Sequence, residues 1–436
     1  MPARIERRLL PVTLAAAALL SASALYFTHA TASPPTPQTQ PTSPTSQALQ
    51  SQTAKAAPAA AAPAPPGPGA APAKPKPKTD PKLEAVSAWI AGIFPWGPGE
   101  VSVEEVQAYR VKGQKLLKAS KTYGDARNND QAFVVFDEAS PTAIIGDPFL
   151  DEARVKAPRP VRTDADLVGV REQVQKFLRG RSRLVLDPSR DRPGFKGVKI
   201  LVDTGYGPYE IGGFVSADDG ALLIAGRAWD RKRSFADQRK ELIKLAGTPM
   251  QGPADATVNV VEYSDMQCGF CKKRTADWEP LLEKLGKSLK IRRYFKSFPL
   301  VNDHPWAFRA STAGRCFFEK DPALFFSWKS NVYSRQETLT VSDLDIFALD
   351  YATANDLPEE WFKGCYLKDS TCSRILADLT EGFALRVRAT PTYIIDGVAV
   401  SWYADNLMED YLRQTYLKGA PGAPQKGAVP AKKGVK

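Results

Sequence analysis

Hydrophobic residues recur along positions 81–419 with two different periods, and the switches between them predict the order of elements. Residues 101–106 read as the opening of a helix, with Ser102 and Glu105 placed as a capping box. Short apolar runs at 131–136 and 143–145 read as strands. Over 164–178 the period becomes helical, with Leu167, Val170, Val174, Phe177 and Leu178 on one face and Thr163 or Asp164 as the cap. Strands follow at 195–202, 209–216 and 221–229, the last two joined at Asp218-Asp219-Gly220, and 234–245 is helical again. Residues 257–263 form a β-branched apolar run, the pattern of a buried strand, bounded upstream by Gly252-Pro253. Trp278, Leu281, Leu282 and Leu285 then repeat at helical spacing. A second strand at 289–298 leads into helical patterns that run to about residue 385. A hairpin at 388–400 turning on Asp396-Gly397 and a helix at 405–417 close the series.

The ends of the chain lack such patterning. Arg4, Arg7 and Arg8 precede an apolar run over 9–27 and the small residues Ala30-Thr31-Ala32, the layout of a secretory leader cleaved after Ala32. The run is also long enough for a membrane anchor, although its many alanines make a weak span. On either reading the rest is exported, where disulfides persist. Residues 33–80 are mostly Pro, Ala, Thr, Ser and Gln, a composition that cannot bury a core and acts as a disordered spacer. Residues 420–436 repeat it with added lysines. The net charge of +11 is partly inflated by these tails, and no basic-aromatic cluster accompanies it, so no nucleic-acid partner is expected.

Candidate chemistry concentrates at Cys268-Gly269-Phe270-Cys271, where the strand at 257–263 gives way to a helix. Unpaired N–H groups and the positive dipole end of a helix N-terminus stabilise a thiolate. Cys268 is therefore expected to be the accessible nucleophile and Cys271 the resolving thiol. Zinc is the competing use of such a pair, but there is no second CxxC and His304 is the only histidine beyond the first thirty residues. No metal or organic cofactor is expected. Glu262 lies on the preceding strand in apolar surroundings. Desolvation would raise its pKa and let it relay a proton to Cys271; alternatively it is only a strand-edge carboxylate.

Val261-Glu262-Tyr263-Ser264-Asp265 leading into Cys268-Gly269-Phe270-Cys271, together with Ala389-Thr390-Pro391-Thr392, resembles the thioredoxin-fold thiol–disulfide oxidoreductases of the bacterial envelope, the DsbA-like and DsbC/DsbG-like proteins. The resemblance implies that Pro391 is cis and faces the cysteines. It also implies that Thr390 contacts the substrate backbone, with Gly269 and Phe270 beside it. The long helical block resembles DsbA-like proteins, whereas Gly269-Phe270 is closer to the dipeptide of DsbC. Residues 213–227 look like the N-terminal dimer-forming domain of DsbC/DsbG, which implies a homodimer built on that hairpin.

Three cysteines remain. Some DsbA-like proteins carry a second disulfide within the helical block, and carrying it over joins Cys316 to Cys365 and leaves Cys372 unpaired. The alternative joins Cys365 to Cys372 and buries Cys316 as a free thiol. The expected organisation is a leader or anchor at 1–32, a spacer at 33–80, an α+β domain at 81–231, a linker helix at 232–250, a thioredoxin-like α/β catalytic domain with a helical insertion at 251–419, and a basic tail at 420–436. The expected function is disulfide formation or rearrangement in cysteine-containing exported proteins of the periplasm, serviced by a membrane redox partner. Isomerase or reductase action is the alternative within that class. A binding module whose CxxC is merely structural is the alternative outside it.

Overall fold

The structure, a computed structural model, describes residues 81–106, 114–123, 128–178, 180–400 and 407–417. The expected leader or anchor, the spacer and the basic tail lie outside the described residues. After a first helix, α1 (Pro81–Ile90), the chain builds an antiparallel sheet of eight strands. They are β1 (Val101–Glu105), β2 (Lys115–Tyr123), β3 (Asn128–Phe136), β4 (Thr142–Leu150), β5 (Ser182–Leu186), β6 (Phe195–Asp203), β7 (Pro208–Ser216) and β8 (Leu222–Asp230), in the spatial order β1-β2-β3-β4-β8-β7-β6-β5. Between β4 and β5 stand a short helix, α2 (Glu152–Lys156), and α3 (Val168–Leu178). Thr163 and Asp166 form a capping box at the single 3-10 turn that enters α3. Leu167, Val170 and Val174 are buried as the period predicts, while Phe177 is exposed and rests edge-on against Phe149.

Two expectations for this region are corrected. Residues Val101–Glu105 are a strand paired with β2, not a helix. Ser102 and Glu104 face outward while Val101 and Val103 face in, a period of two that the capping-box signature concealed. β2, which the hydrophobic pattern does not predict, lacks a clean apolar face because Lys121 occupies an inward position. Its ammonium donates to the carbonyls of Pro95 (2.8 Å) and Gly97 (3.0 Å). The second correction concerns the hairpin: β7 and β8 are interior strands flanked by β6 and β4, so it offers no free edge for pairing across a two-fold axis.

The helix α4 (Phe235–Leu242), capped by Ser234, leads into a second sheet. It contains β9 (Met250–Gln251), β10 (Val258–Ser264), β11 (Ile291–Ser297), β12 (Thr392–Ile395) and β13 (Val398–Val400), in the order β13-β12-β10-β11-β9. β10 and β11 are parallel and joined by α5 (Gly269–Gly286); the remaining pairs are antiparallel. Five helices separate β11 from β12: α6 (Ala307–Lys320), α7 (Pro322–Arg335), α8 (Val341–Ala354), α9 (Glu359–Cys365) and α10 (Asp369–Ala384). A last helix, α11 (Leu407–Tyr416), covers the β13 side. The β12–β13 turn has φ of 45° at Asp396 and 85° at Gly397. A Cβ on Gly397 would stand 2.1 Å from the Ala236 carbonyl oxygen, so both backbone conformation and contact with α4 require glycine there.

The two sheets share a core. One cluster of buried residues runs from Val198, Ile200, Ile211 and Val215 of the large sheet to Val261, Tyr263 and Ile394 of the second and Leu379 of α10. Tyr209 stacks on Phe383 and Tyr206 on Phe308 across the same boundary.

Within the helical block Cys316 of α6 and Cys365 of α9 are joined in a disulfide, and Cys372 on α10 is a buried free thiol. The pairing implied by the resemblance is the one present. With the cysteines 49 positions apart in sequence, replacing both by alanine is expected to lower unfolding stability by about 4 kcal/mol on chain-entropy grounds. Chemical denaturation would measure this, and the rate of iodoacetamide reaction at Cys268 should stay unchanged.

Candidate active site

Asp265 shapes the turn that delivers the cysteine pair. Its side chain is fully buried; Oδ1 accepts from the N–H of Gln267 (2.6 Å), and Oδ2 from the N–H of Leu300 (2.8 Å). The backbone N–H of Cys268 donates to the Asp265 carbonyl at 3.2 Å. These bonds end β10 and place Cys268 at the N-cap of α5, with Cys271 inside the first turn. The Cys268 sulfur thus lies at the helix start, where the backbone N–H of Cys271 favours its thiolate.

The opposite wall is the segment before β12. The Thr390–Pro391 peptide is cis, as the resemblance implies. The Cys268 thiol donates to the Thr390 carbonyl at 3.5 Å. Thr390 and Pro391 are both buried. Cys268, expected to be accessible, is itself only 5 % exposed, because this wall covers it; Cys271 is wholly buried. The exposed neighbour is Phe270, at 48 %. Nothing lies within 4 Å of where a Cβ on Gly269 would stand, so the space beside Cys268 is open.

The two thiols are driven apart in acidity. Hydrogen bonding from Cys271 lowers the Cys268 pKa to about 6, with the Thr390 side chain helping and burial and Asp265 opposing. Burial pushes Cys271 well above the ordinary thiol range, and the neighbouring Cys268 adds to this. The first thiol is poised to ionise near neutral pH and the second to hold its proton.

Glu262 is 2 % exposed and sits on a central strand, between Phe295 of β11 and Tyr393 of β12, so it is not a strand-edge carboxylate. Its expected raised pKa is corrected. Burial alone would raise it, but Lys329 and Arg293 more than offset that, and the net shift is downward. Oε2 accepts from Arg293 Nη2 at 3.3 Å, and Oε1 lies 3.9 Å from Lys329 Nζ. Glu262 is therefore a carboxylate at neutral pH, and only the accepting half of a proton relay is open to it. Glu262→Gln would leave the buried Lys329 without its ion-pair partner, while Arg293 keeps Glu279 at 2.8 Å, and is expected to cost about 3 kcal/mol at pH 7. A carboxyl held low stabilises the fold above its unfolded pKa near 4.5, and this is lost as acid titrates through the lower folded value. Urea denaturation should therefore show the variant's deficit shrinking as pH falls below about 4.

Sequence reasoning missed the partners around this centre. His304, noted only as an argument against zinc, lies with Nδ1 2.7 Å from Asp265 Oδ2. Burial lowers its pKa, but Asp265 and the charge at Cys268 outweigh that and raise it. Lys329 comes from α7 and carries no local signal at all; Arg293 lies on β11. Among the described residues no cluster of three or more His, Cys, Asp or Glu could hold a metal ion.

Residues 244–412 match the family model described as Thioredoxin. This part of the chain has a thioredoxin fold, with the helices α6–α10 inserted between β11 and β12. The match leaves the eight-stranded sheet outside it. Among curated proteins, the chain is 30 % identical over 148 residues to the Na(+)/H(+) antiporter NhaA of Herminiimonas arsenicoxydans, covering 34 % of this chain and 22 % of that protein. It is 29 % identical over 149 residues to NhaA 3 of Salinispora tropica, covering 34 % and 21 %. The chain thus spans about a fifth of the length of these relatives. Similar solved structures include oxidised BdbD from Bacillus subtilis (21 % identity, 39 % of this chain, 94 % of that chain, TM-score 0.35). The thiol-disulfide exchange protein alpha-DsbA2 from Wolbachia pipientis gives 20 %, 41 %, 93 % and 0.35 for the same quantities. The catalytic domain of Proteus mirabilis ScsC gives 19 %, 41 %, 95 % and 0.34. No helix among the described residues is long and apolar enough to cross a membrane.

Proposed function

We propose that this chain is an exported thiol–disulfide oxidoreductase that donates the Cys268–Cys271 disulfide to cysteine pairs of other exported proteins. A substrate thiolate attacks Cys268 Sγ, the bond to Cys271 breaks, and Cys271 leaves as a thiolate that takes up a proton. A second substrate thiol then loses its proton and attacks the mixed disulfide. Its sulfur bonds to the first substrate sulfur, and Cys268 departs as a thiolate. The substrate ends oxidised by two electrons and the pair ends reduced. Reoxidation falls to a membrane redox partner that takes up those two electrons.

The observation that carries this reading is the pair of opposed thiol acidities at a helix N-terminus facing Thr390–Pro391. A stabilised Cys268 thiolate is a good leaving group and favours the reduced form of the pair, which favours the donating direction. The leader-like N-terminus and the disulfide of the helical block support an oxidising compartment. The test is refolding of a reduced, disulfide-requiring substrate by the oxidised protein. Stoichiometric disulfide transfer is expected. Activity confined to a scrambled substrate would point to isomerisation instead, and no transfer in either assay would reduce the CxxC to a structural feature.

A further inference from the structure

Strands β3 and β4 of the eight-stranded sheet hold the chain segment that leads to the cysteine pair. The chain between α10 and β12 carries Thr390 and Pro391, and its course is fixed from the side of the large sheet. Arg386 takes a left-handed backbone conformation, with φ of 66°. Its Nη2 donates to the Gln131 carbonyl of β3 at 2.8 Å. Two residues on, Arg388 Nη2 pairs with Asp147 Oδ2 of β4 at 2.8 Å. Between them Val387 is fully buried in the core that the two sheets share. The next three residues bring Thr390 to within 3.5 Å of the nucleophilic sulfur.

A left-handed non-glycine residue is strained and persists where its surroundings hold it. Here the end of α10 holds it, the N–H of Val387 donating to the Gly382 carbonyl at 2.8 Å and that of Arg386 to the Phe383 carbonyl at 3.1 Å, while the Arg386 side chain ties this cap to β3. Other polar links across the boundary, such as Arg309 to Tyr206 (2.9 Å) and Glu210 to Thr380 (3.0 Å), join helices of the insertion to the sheet and do not touch this segment. Arg386 and Arg388 alone of these links lie within four residues of Thr390.

We propose that Asp147 and the β3 backbone, acting through Arg388 and Arg386, set the position of the Thr390–Pro391 segment against Cys268, so that the large sheet governs docking of an extended peptide at the disulfide. The inference rests on the proposed thiol–disulfide exchange for its ligand class, a polypeptide chain carrying a cysteine, as distinct from a small disulfide such as glutathione disulfide. Arg386, Arg388 and Asp147 are positioning residues; none touches the reacting sulfurs.

Arg388→Gln and Asp147→Asn test it, together with the charge swap Asp147→Arg/Arg388→Asp. A partly exposed ion pair contributes up to about 1 kcal/mol, so each single variant should raise KM for a cysteine peptide about fivefold. The maximal rate and the reaction with glutathione should stay within about twofold, and the swap should restore the peptide KM. Independently of activity, amide hydrogen exchange over residues 389–392 should accelerate in the single variants and return toward the wild-type rate in the swap. An unchanged peptide KM, an equal loss toward glutathione, or unchanged exchange at 389–392 would overturn the inference. Wild-type protein that exchanges no disulfides while exchange at 389–392 responds as expected would overturn the function and leave the positioning intact.

Discussion

Cys268→Ala is expected to abolish disulfide exchange, and Cys271→Ala to leave the substrate held as a mixed disulfide. The asymmetry follows from the two environments. Cys268 caps α5, with its thiol pKa lowered to about 6 chiefly by hydrogen bonding from Cys271, so at pH 7 most of it is thiolate in the reduced protein. Cys271 is fully buried, with its pKa pushed upward, and reacts only with a sulfur already bonded to Cys268. Alkylation of the reduced protein should therefore titrate near pH 6 at Cys268, and Cys271 should label only after unfolding. The linkage has a definite sign. A thiol pKa depressed in the folded state stabilises the reduced protein above the unfolded value near 9, and this is lost as pH falls through about 6. Gel-resolved trapping with a reduced cysteine substrate reads both variants. Equal labelling of the two thiols with an ordinary titration would contradict the assignment.

The second large effect concerns the N-terminal sheet. A chain starting at Lys232 is expected not to fold, rather than to give an active, smaller catalyst. Removing the sheet uncovers Val261, Tyr263, Leu379, Leu385, Val387 and Ile394, all part of the shared buried cluster. At about 1.5–3 kcal/mol for each fully buried large apolar side chain, the loss is comparable to the whole stability of a domain, about 5–15 kcal/mol. Arg239 would also lose the carbonyls of Gly92 and Ile93, which accept from it at 3.1 and 2.6 Å, leaving a buried guanidinium with fewer partners. Circular dichroism and thermal unfolding of the truncated chain would check this. A cooperative transition close to that of the full chain would show that the catalytic region stands alone.

What could be read from residues alone was whatever their immediate neighbours determine. The apolar run of β10, the helical spacing of Trp278 and Leu285, and the Asp396-Gly397 turn each fix local structure within a few positions. The cysteine pair at a strand–helix junction was legible for the same reason. At β1 the sequence signal misleads, because Ser102 and Glu105 satisfy a helix-start signature whereas pairing with β2 decides the outcome. Lys121 hid β2, since its reason for facing inward is a pair of carbonyls more than twenty positions away. The sign of the Glu262 shift is not legible locally, because burial shows in the sequence and the counter-ions do not: Arg293 and Lys329 arrive from β11 and α7 only when the chain folds. Arg386 and Arg388, likewise, gain meaning only beside Gln131 and Asp147.

The central claim is that Cys268 and Cys271 interconvert between dithiol and disulfide as one redox couple. Equilibration of the full chain in glutathione buffers of graded potential, followed by acid quench, alkylation and peptide mapping, measures this directly. The account predicts one two-electron transition in which Cys268 and Cys271 change together, at a potential more oxidising than glutathione's, while Cys316–Cys365 stays bonded throughout. A Cys268–Cys271 pair that stays fully oxidised or fully reduced across the whole range would contradict it.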